Sequence, residues 1–215
     1  MHIDIWSDIV CPWCYVGKRR FEEGLRQFGH AEEVIVRHHA FQLDPSAIPG
    51  EITSRRARLK AKYGLTDERV AQLDQQMAQT FQSVGLTFLV GEGTSGNTRA
   101  AHEVVAAGAA VGRQDAVIER LFRAYFSEGR SVFDPAELVT LGVEAGLEEG
   151  ALRQALIDGT YAESVEQDLA DAREIGITGV PFFVFDRRFA LSGAQPANVF
   201  AQALTQAWES AEGAR

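Results

Sequence analysis

The apolar positions of this chain change their period twice. From His2 to Trp6 they alternate, Ile3 and Ile5 against His2 and Asp4, which predicts a short strand. Phe21, Leu25 and Phe28 then recur at i, i+4 and i+7, so Tyr15 to Phe28 reads as a helix with one core-facing stripe, and Gly29 is placed to end it. Val34 to Leu43 is rich in β-branched and aromatic residues and reads as a second strand, stopped by Asp44-Pro45. From about Thr53 to Ile175 the pattern is helical with short breaks. Thr66 or Asp67 starts a helix to about Val84, Gly91 to Asn97 is a loop, and Asn97 or Thr98 starts a helix through Ala110. Asp115 to Phe126 carries Val117, Leu121 and Tyr125 on one face. Asp134-Pro135 opens a helix lined by Leu138, Leu141 and Ala145, and Leu147 to Ile157 and Tyr161 to Ile175 follow. The end returns to strand. Phe182 to Phe185 is a continuous apolar run suited to burial on both faces, Asp186 to Arg188 turns the chain, and Phe189 to Ser192 pairs back. After a Gly193 to Gln195 loop, Pro196 opens an amphipathic helix with Val199, Phe200, Ala203, Leu204 and Ala207 inward.

Strand, helix, strand, a long helical stretch, then strand, strand, helix: this order predicts an α/β chain with a helical insertion. A hydrophobic fraction of 46% supports a packed core. The net charge of -9 repels phosphate backbones and anionic lipid, so nucleic acid and membrane surfaces are not expected partners. No run approaches the ~18 apolar residues of a membrane span. Asp4 and Asp8 interrupt what would otherwise be an apolar leader, so the expected location is the cytoplasm. There, thiols stay reduced, and a Cys-x-x-Cys is catalytic or metal-binding sooner than structural.

Both cysteines lie in Asp8-Ile9-Val10-Cys11-Pro12-Trp13-Cys14, between the first strand and the first helix. Pro12 suits the first helical position, where its missing N–H costs nothing. Cys11 then sits at the positive end of the helix dipole, which favours thiolate, and Cys14 follows on the same face. The pair fits thiol–disulfide exchange, with Cys11 as attacking sulfur and Cys14 as resolving sulfur. Zinc is the competitor. Fifteen residues separate Cys14 from His30, as in a finger, but seven separate His30 from His38, too many for the usual histidine pair.

The remaining candidates each have a plainer reading. Trp13 contacts substrate or packs on a neighbour; Pro181 begins a strand as an ordinary trans proline; Asp8 is a solvated loop aspartate. Gln195 caps the last helix, and Asn97 or Thr98 caps an earlier one. His38 and His39 point to opposite faces, so at most one lines a cleft. The run Arg55, Arg56, Arg58, Lys60, Lys62 is a solvated face or a steering patch for an anion.

Three segments carry a resemblance: Ser7-Asp8-Ile9-Val10-Cys11-Pro12-Trp13-Cys14-Tyr15-Val16-Gly17-Lys18, Gly179-Val180-Pro181-Phe182-Phe183-Val184 and Ser192-Gly193-Ala194-Gln195. Together they make the chain resemble the DsbA-like thiol oxidoreductases of the FrnE family. The resemblance implies a thioredoxin fold, residues 1–45 and 176–215, with an all-helical domain, residues 46–175, inserted. It implies that Cys11 and Cys14 are catalytic and that Val180-Pro181 is a cis bond whose backbone docks substrate beside Pro12 and Trp13. It implies no metal or organic cofactor, a thiol- or disulfide-bearing protein or glutathione-like partner, and glutathione as a candidate co-substrate. In glutathione-dependent relatives, the kappa-class transferases and hydroxychromene-carboxylate isomerases, the loop equivalent to Gln195 holds the γ-glutamyl carboxylate. Such a transferase or isomerase is the second expectation, and a zinc-binding or holdase-like module the third.

Overall fold

The structure, a computed structural model, describes residues 1–89, 91 and 93–212. The chain divides into two compact units, Met1–Phe41 with Asp168–Arg215, and Gln42–Gln167.

The first unit is built on four strands. β1 (His2–Ser7) is central and pairs in parallel with β2 (Ile35–Ala40). On its other side β1 pairs antiparallel with β5 (Phe182–Phe185), which pairs with β6 (Phe189–Ser192), giving the order β2-β1-β5-β6. Register explains the core. Ile3 lies opposite Phe185 and Ile5 opposite Phe183, so all four project from one face. There they meet Phe21 and Phe28 of α1 (Pro12–Arg26) and Phe200 and Leu204 of α9 (Ala197–Glu212). Close packing of α1 on α9 depends on Gly24, where a β-carbon would lie 2.7 Å from both Ala197 O and Phe200 Cβ. At the far end His30 and Trp208 stack with ring centroids 4.3 Å apart.

The opposite face carries Trp6, Phe182 and Val184, covered by Ala172 and Ile177 at the end of α8 (Ala162–Glu174). Here the structure corrects the expectation for Phe182 to Phe185. Phe183 and Phe185 are fully buried, but Phe182 and Val184 are only half-buried, because α8 covers its face of the sheet in part. The unit boundary falls inside α8 at Asp168. Asp168 caps the edge of the sheet: its carboxylate binds His39 Nδ1 at 2.7 Å and accepts from the Ala40 N–H at 2.9 Å, and its carbonyl accepts from the Trp6 indole at 3.1 Å.

The second unit is helical, with α2 (Arg55–Tyr63), α3 (Asp67–Gln82), α4 (Arg99–Ala110), α5 (Gln114–Ser127), α6 (Pro135–Glu144), α7 (Glu149–Asp158) and the start of α8. The caps are side-chain acceptors on orphan N–H groups. Thr66 accepts from Arg69, Asp134 from Glu137, and Glu148 from Gly150 and Ala151. α4 packs on α5 and α6 around Val104, Val117, Leu121, Leu138 and Leu141. Arg120 and Arg130 clip α5 and the following loop to Glu144 of α6 at 2.6 and 2.9 Å. The expected Gly91–Asn97 loop, of which Glu92 lies outside the described residues, contains a short ribbon instead: β4 (Thr94–Ser95) pairs with β3 (Thr53–Ser54). The basic run on α2 is matched by acids. Arg55 pairs with Asp74, Arg58 with Asp44, and Lys60 with Asp67. Asn97 acts locally, accepting from the Arg99 N–H at 2.8 Å and donating to Ala47 O at 2.6 Å. No helix among the described residues is long and apolar enough to cross a membrane.

Candidate active site

β1 ends at Ser7, and the chain turns through Asp8 to Val10 before α1 begins at Pro12. The turn is closed by the Cys11 N–H donating to Asp8 O at 3.0 Å. Cys11 is the N-cap of α1, with extended backbone (φ -88°, ψ 110°), and Pro12 is the first helical residue. The Cys14 N–H donates to Cys11 O at 3.0 Å, which fixes the first turn. The first helical turn itself carries no acidic side chain; the acid beside it is Asp8, in the turn that precedes Cys11.

Both cysteines are free thiols in this structure, and both are buried, at 4% and 2% exposure. Trp13, between them, is 45% exposed. Burial pushes the Cys14 thiol well above its ordinary pKa, and its hydrogen bond and charge contact with Cys11 push the same way. Asp8 acts on Cys14 in both directions, its backbone lowering the pKa and its charge raising it. With 1% exposure Asp8 is not the solvated loop residue expected: the tight turn folds it inward.

The second loop comes from the far end of the same unit. The Val180–Pro181 bond is cis, and the Cys11 thiol lies 3.6 Å from the Val180 carbonyl oxygen, to which it donates. Two contacts tie this loop to its surroundings: the Gly193 N–H donates to Pro181 O at 2.8 Å, and Gly17 of α1 faces the proline ring. The neighbouring Gly193–Gln195 loop is held in turn by Arg20 of α1, which donates to Ala194 O at 2.6 Å. A β-carbon on Gly17 would lie 2.8 Å from Pro181 Cγ, so only glycine lets the helix carrying the cysteines approach this closely.

The structure therefore gathers Cys11, Pro12, Trp13, Cys14, Val180 and Pro181 around one sulfur-bearing helix start. Gln195 joins them indirectly. Its backbone N–H donates to Gly193 O at 3.0 Å and its side-chain amide donates to Ser192 O at 2.8 Å, so the side chain braces the loop and does not cap α9. Sequence reasoning passed over Gly17. A glycine inside a helical pattern marks close backbone approach, and that signal was present. It also passed over the pairing of His39 with Asp4 and Asp168, residues too far apart in sequence to announce each other. Among the described residues, no group of three or more histidine, cysteine, aspartate or glutamate side chains is placed to hold a metal ion.

The chain is similar to known proteins over nearly its whole length. A family model, the DSBA-like thioredoxin domain, matches residues 2–205. The Bacillus subtilis protein YwbO is 28% identical over 206 residues, covering 95% of this chain and 96% of its own. A crystal structure of a probable DsbA oxidoreductase from Streptomyces coelicolor superposes with a TM-score of 0.93 at 42% identity, covering 97% of this chain and 90% of that one. A cytosolic disulfide reductase from Pseudomonas aeruginosa, DsbM, solved with glutathione, gives a TM-score of 0.61 at 25% identity over 96% of this chain and 98% of its own. The chain, with its α/β thioredoxin fold, belongs to the DsbA-like thioredoxin-domain family.

Proposed function

We propose that this chain is a dithiol–disulfide oxidoreductase of the FrnE type, in which Cys11 is the nucleophile and Cys14 the resolving thiol. The observation that carries this reading is the placement of Cys11, at the N-terminus of α1 and 3.6 Å from the Val180 carbonyl. In the reducing direction, the Cys11 thiolate attacks one sulfur of a substrate disulfide. That S–S bond breaks, the departing sulfur leaves as a thiolate and takes up a proton, and a mixed disulfide joins Cys11 to the substrate. Cys14 loses its proton and attacks the Cys11 sulfur. The Cys11–Cys14 disulfide forms, and the substrate departs carrying two electrons. Exchange with an external thiol restores the pair; the reverse sequence oxidises a substrate.

The protein side of this step is positioning. The backbone at Val180–Pro181 offers hydrogen-bonding groups for an extended peptide or glutathione, as in strand addition. Pro181 has no N–H to compete beside the sulfurs. Trp13, half-exposed, supplies an apolar contact for what approaches. The cysteine pair itself holds the electrons, so the step uses no metal or organic cofactor. Substrates are thiol- or disulfide-bearing proteins or small molecules, with glutathione as electron donor. The glutathione-bound DsbM structure supports that donor and a cytoplasmic site of action.

The decisive experiment uses Cys14→Ser. Mixed with oxidised glutathione or an oxidised peptide, this variant should accumulate a mixed disulfide on Cys11, visible by mass spectrometry, and Cys11→Ser should accumulate none. Absence of the adduct in Cys14→Ser, together with no exchange by the unaltered protein, overturns the proposal.

A further inference from the structure

The second face of the sheet holds a cavity of about 540 Å³, within the size range of small-ligand pockets. It is separate from the cysteine pair in its lining. Its floor is Phe182 and Val184 of β5, both half-buried, with Trp6 of β1 beneath them, 6% exposed. The polar atoms of this floor are already engaged. The Trp6 indole N–H donates to Asp168 O, and the two His39 ring nitrogens face Asp168 and Asp4 at 2.7 and 2.9 Å. The His39 ring also stacks on Trp6, with centroids 4.4 Å apart. What the floor offers a guest is therefore ring and methyl surface.

The walls differ in sign. On the α8 side stand Asp171 and Glu174, and Glu174 has no ion-pair partner among the described residues. The rest of the lining carries Arg187 and Arg188, at the tip of the β5–β6 turn, and Asp4 of β1, whose carboxyl is held low chiefly by His39 and in part by the Arg187 charge. That turn is a tight one, closed by the Arg188 N–H donating to Phe185 O at 2.9 Å, with φ of 46° at Asp186 and 56° at Arg187. Such a turn favours asparagine and glycine, and an arginine in left-handed backbone is unfavourable for the fold alone. Asp186 is held by β1, its carboxylate accepting the His2 N–H at 2.6 Å, so the turn projects its two guanidinium groups from a fixed base.

From the apolar floor and the acids and arginines that line it together, we propose that this cavity binds a small zwitterion with an aromatic or branched apolar body, of the amino-acid or dipeptide class. Its ammonium lies against Asp171 and Glu174, its carboxylate against Arg187 and Arg188, and its side chains over Phe182 and Val184. Arginine suits the carboxylate because its planar donors match the two oxygens.

Isothermal titration of the full chain with the dipeptide phenylalanylleucine tests this. Saturable binding is expected, and Glu174→Gln and Arg187→Gly should each weaken it about tenfold. Because Arg187→Gly relaxes the turn, its thermal midpoint should hold or rise while binding falls, a split that a purely structural arginine would not produce. The N-acetylated and C-amidated forms of the dipeptide, each lacking one charge, should also bind about tenfold more weakly. Absence of binding at ~10 mM dipeptide, equal affinity for the charge-blocked forms, or unchanged affinity in both variants would each overturn the assignment.

Discussion

Cys11 and Cys14 are one helical turn apart and experience different surroundings. Cys11 caps the helix and meets the Val180 carbonyl, while Cys14 lies deeper, with its pKa pushed up first by burial and then by Cys11 itself. The thiolate is the species that alkylates. Iodoacetamide at neutral pH should therefore modify Cys14 at least about tenfold more slowly than an exposed cysteine, and the rate should climb as pH rises. In Cys11→Ser the contact with Cys11 goes but burial, the larger cause, remains, so Cys14 should stay slow. Peptide mapping after a timed quench reads both, and ordinary reactivity of Cys14 at neutral pH would contradict its burial. At this scale much of the site was legible. The spacing of the cysteines and Pro12 between them dictate a capped helix with two sulfurs on one face, and the structure has that helix. The burial of Asp8 was not legible, because it depends on the hydrogen bond that closes the turn from Asp8 O to the Cys11 N–H.

Elements meet through residues chosen for the meeting. Gly17 lets α1 reach the Pro181 loop. In Gly17→Ala, better helix propensity contributes about 1 kcal/mol. The 2.8 Å approach to the proline ring opposes it, overpacking costing about 1–3 kcal/mol. The net effect is a loss of up to about 2 kcal/mol in urea unfolding, and disulfide exchange should fall further than stability does, since the displaced loop is the one Cys11 contacts. His39 joins β2 to β1 through Asp4 and to α8 through Asp168. Burial opposes its charge, yet the two carboxylates hold its pKa up at about 9, above the usual 6.5. The sign follows from linkage. A raised histidine stabilises the fold fully below pH 6.5, and that contribution disappears as pH rises through about 9. Unfolding free energies at about pH 6 and pH 9.5 should differ by no more than ~3 kcal/mol from this group, and His39→Gln should lower the first value and flatten the difference. Periodicity made the long elements readable, because Phe21, Leu25 and Phe28 or Val117, Leu121 and Tyr125 repeat often enough to define a face. It could not reveal β3 and β4, two residues each, whose pairing rests on tertiary placement.

At the scale of the whole molecule, one folding unit is interrupted by another. Unit one is assembled from both ends of the chain, so Ile3, Ile5 and Phe21 have no core until Phe183, Phe185, Phe200 and Leu204 arrive. Its proposed site is split the same way, Cys11 on one side of the interruption and Val180 on the other. The helical unit is continuous in sequence and closes its own core around Val104, Val117, Leu121, Phe122, Leu138 and Leu141. Contacts between neighbouring helices are local, and local contacts form without waiting for distant chain. These facts predict an asymmetry between fragments. Residues 42–167 alone should give a helical circular dichroism spectrum and a cooperative thermal transition. Residues 1–167 should show that same transition and nothing more: β1 would lack its partner β5, α1 would lack α9, and the apolar faces of both would be exposed. Such a fragment should bind hydrophobic dyes and exchange no disulfides, although it keeps Cys11 and Cys14. Adding residues 168–215 in trans should restore exchange in proportion to how much sheet re-forms, because Phe182 to Phe185 brings Val180 with it. Full exchange activity in 1–167 alone would mean that the cysteine helix works without the Val180 loop, and the role assigned to that loop would fall.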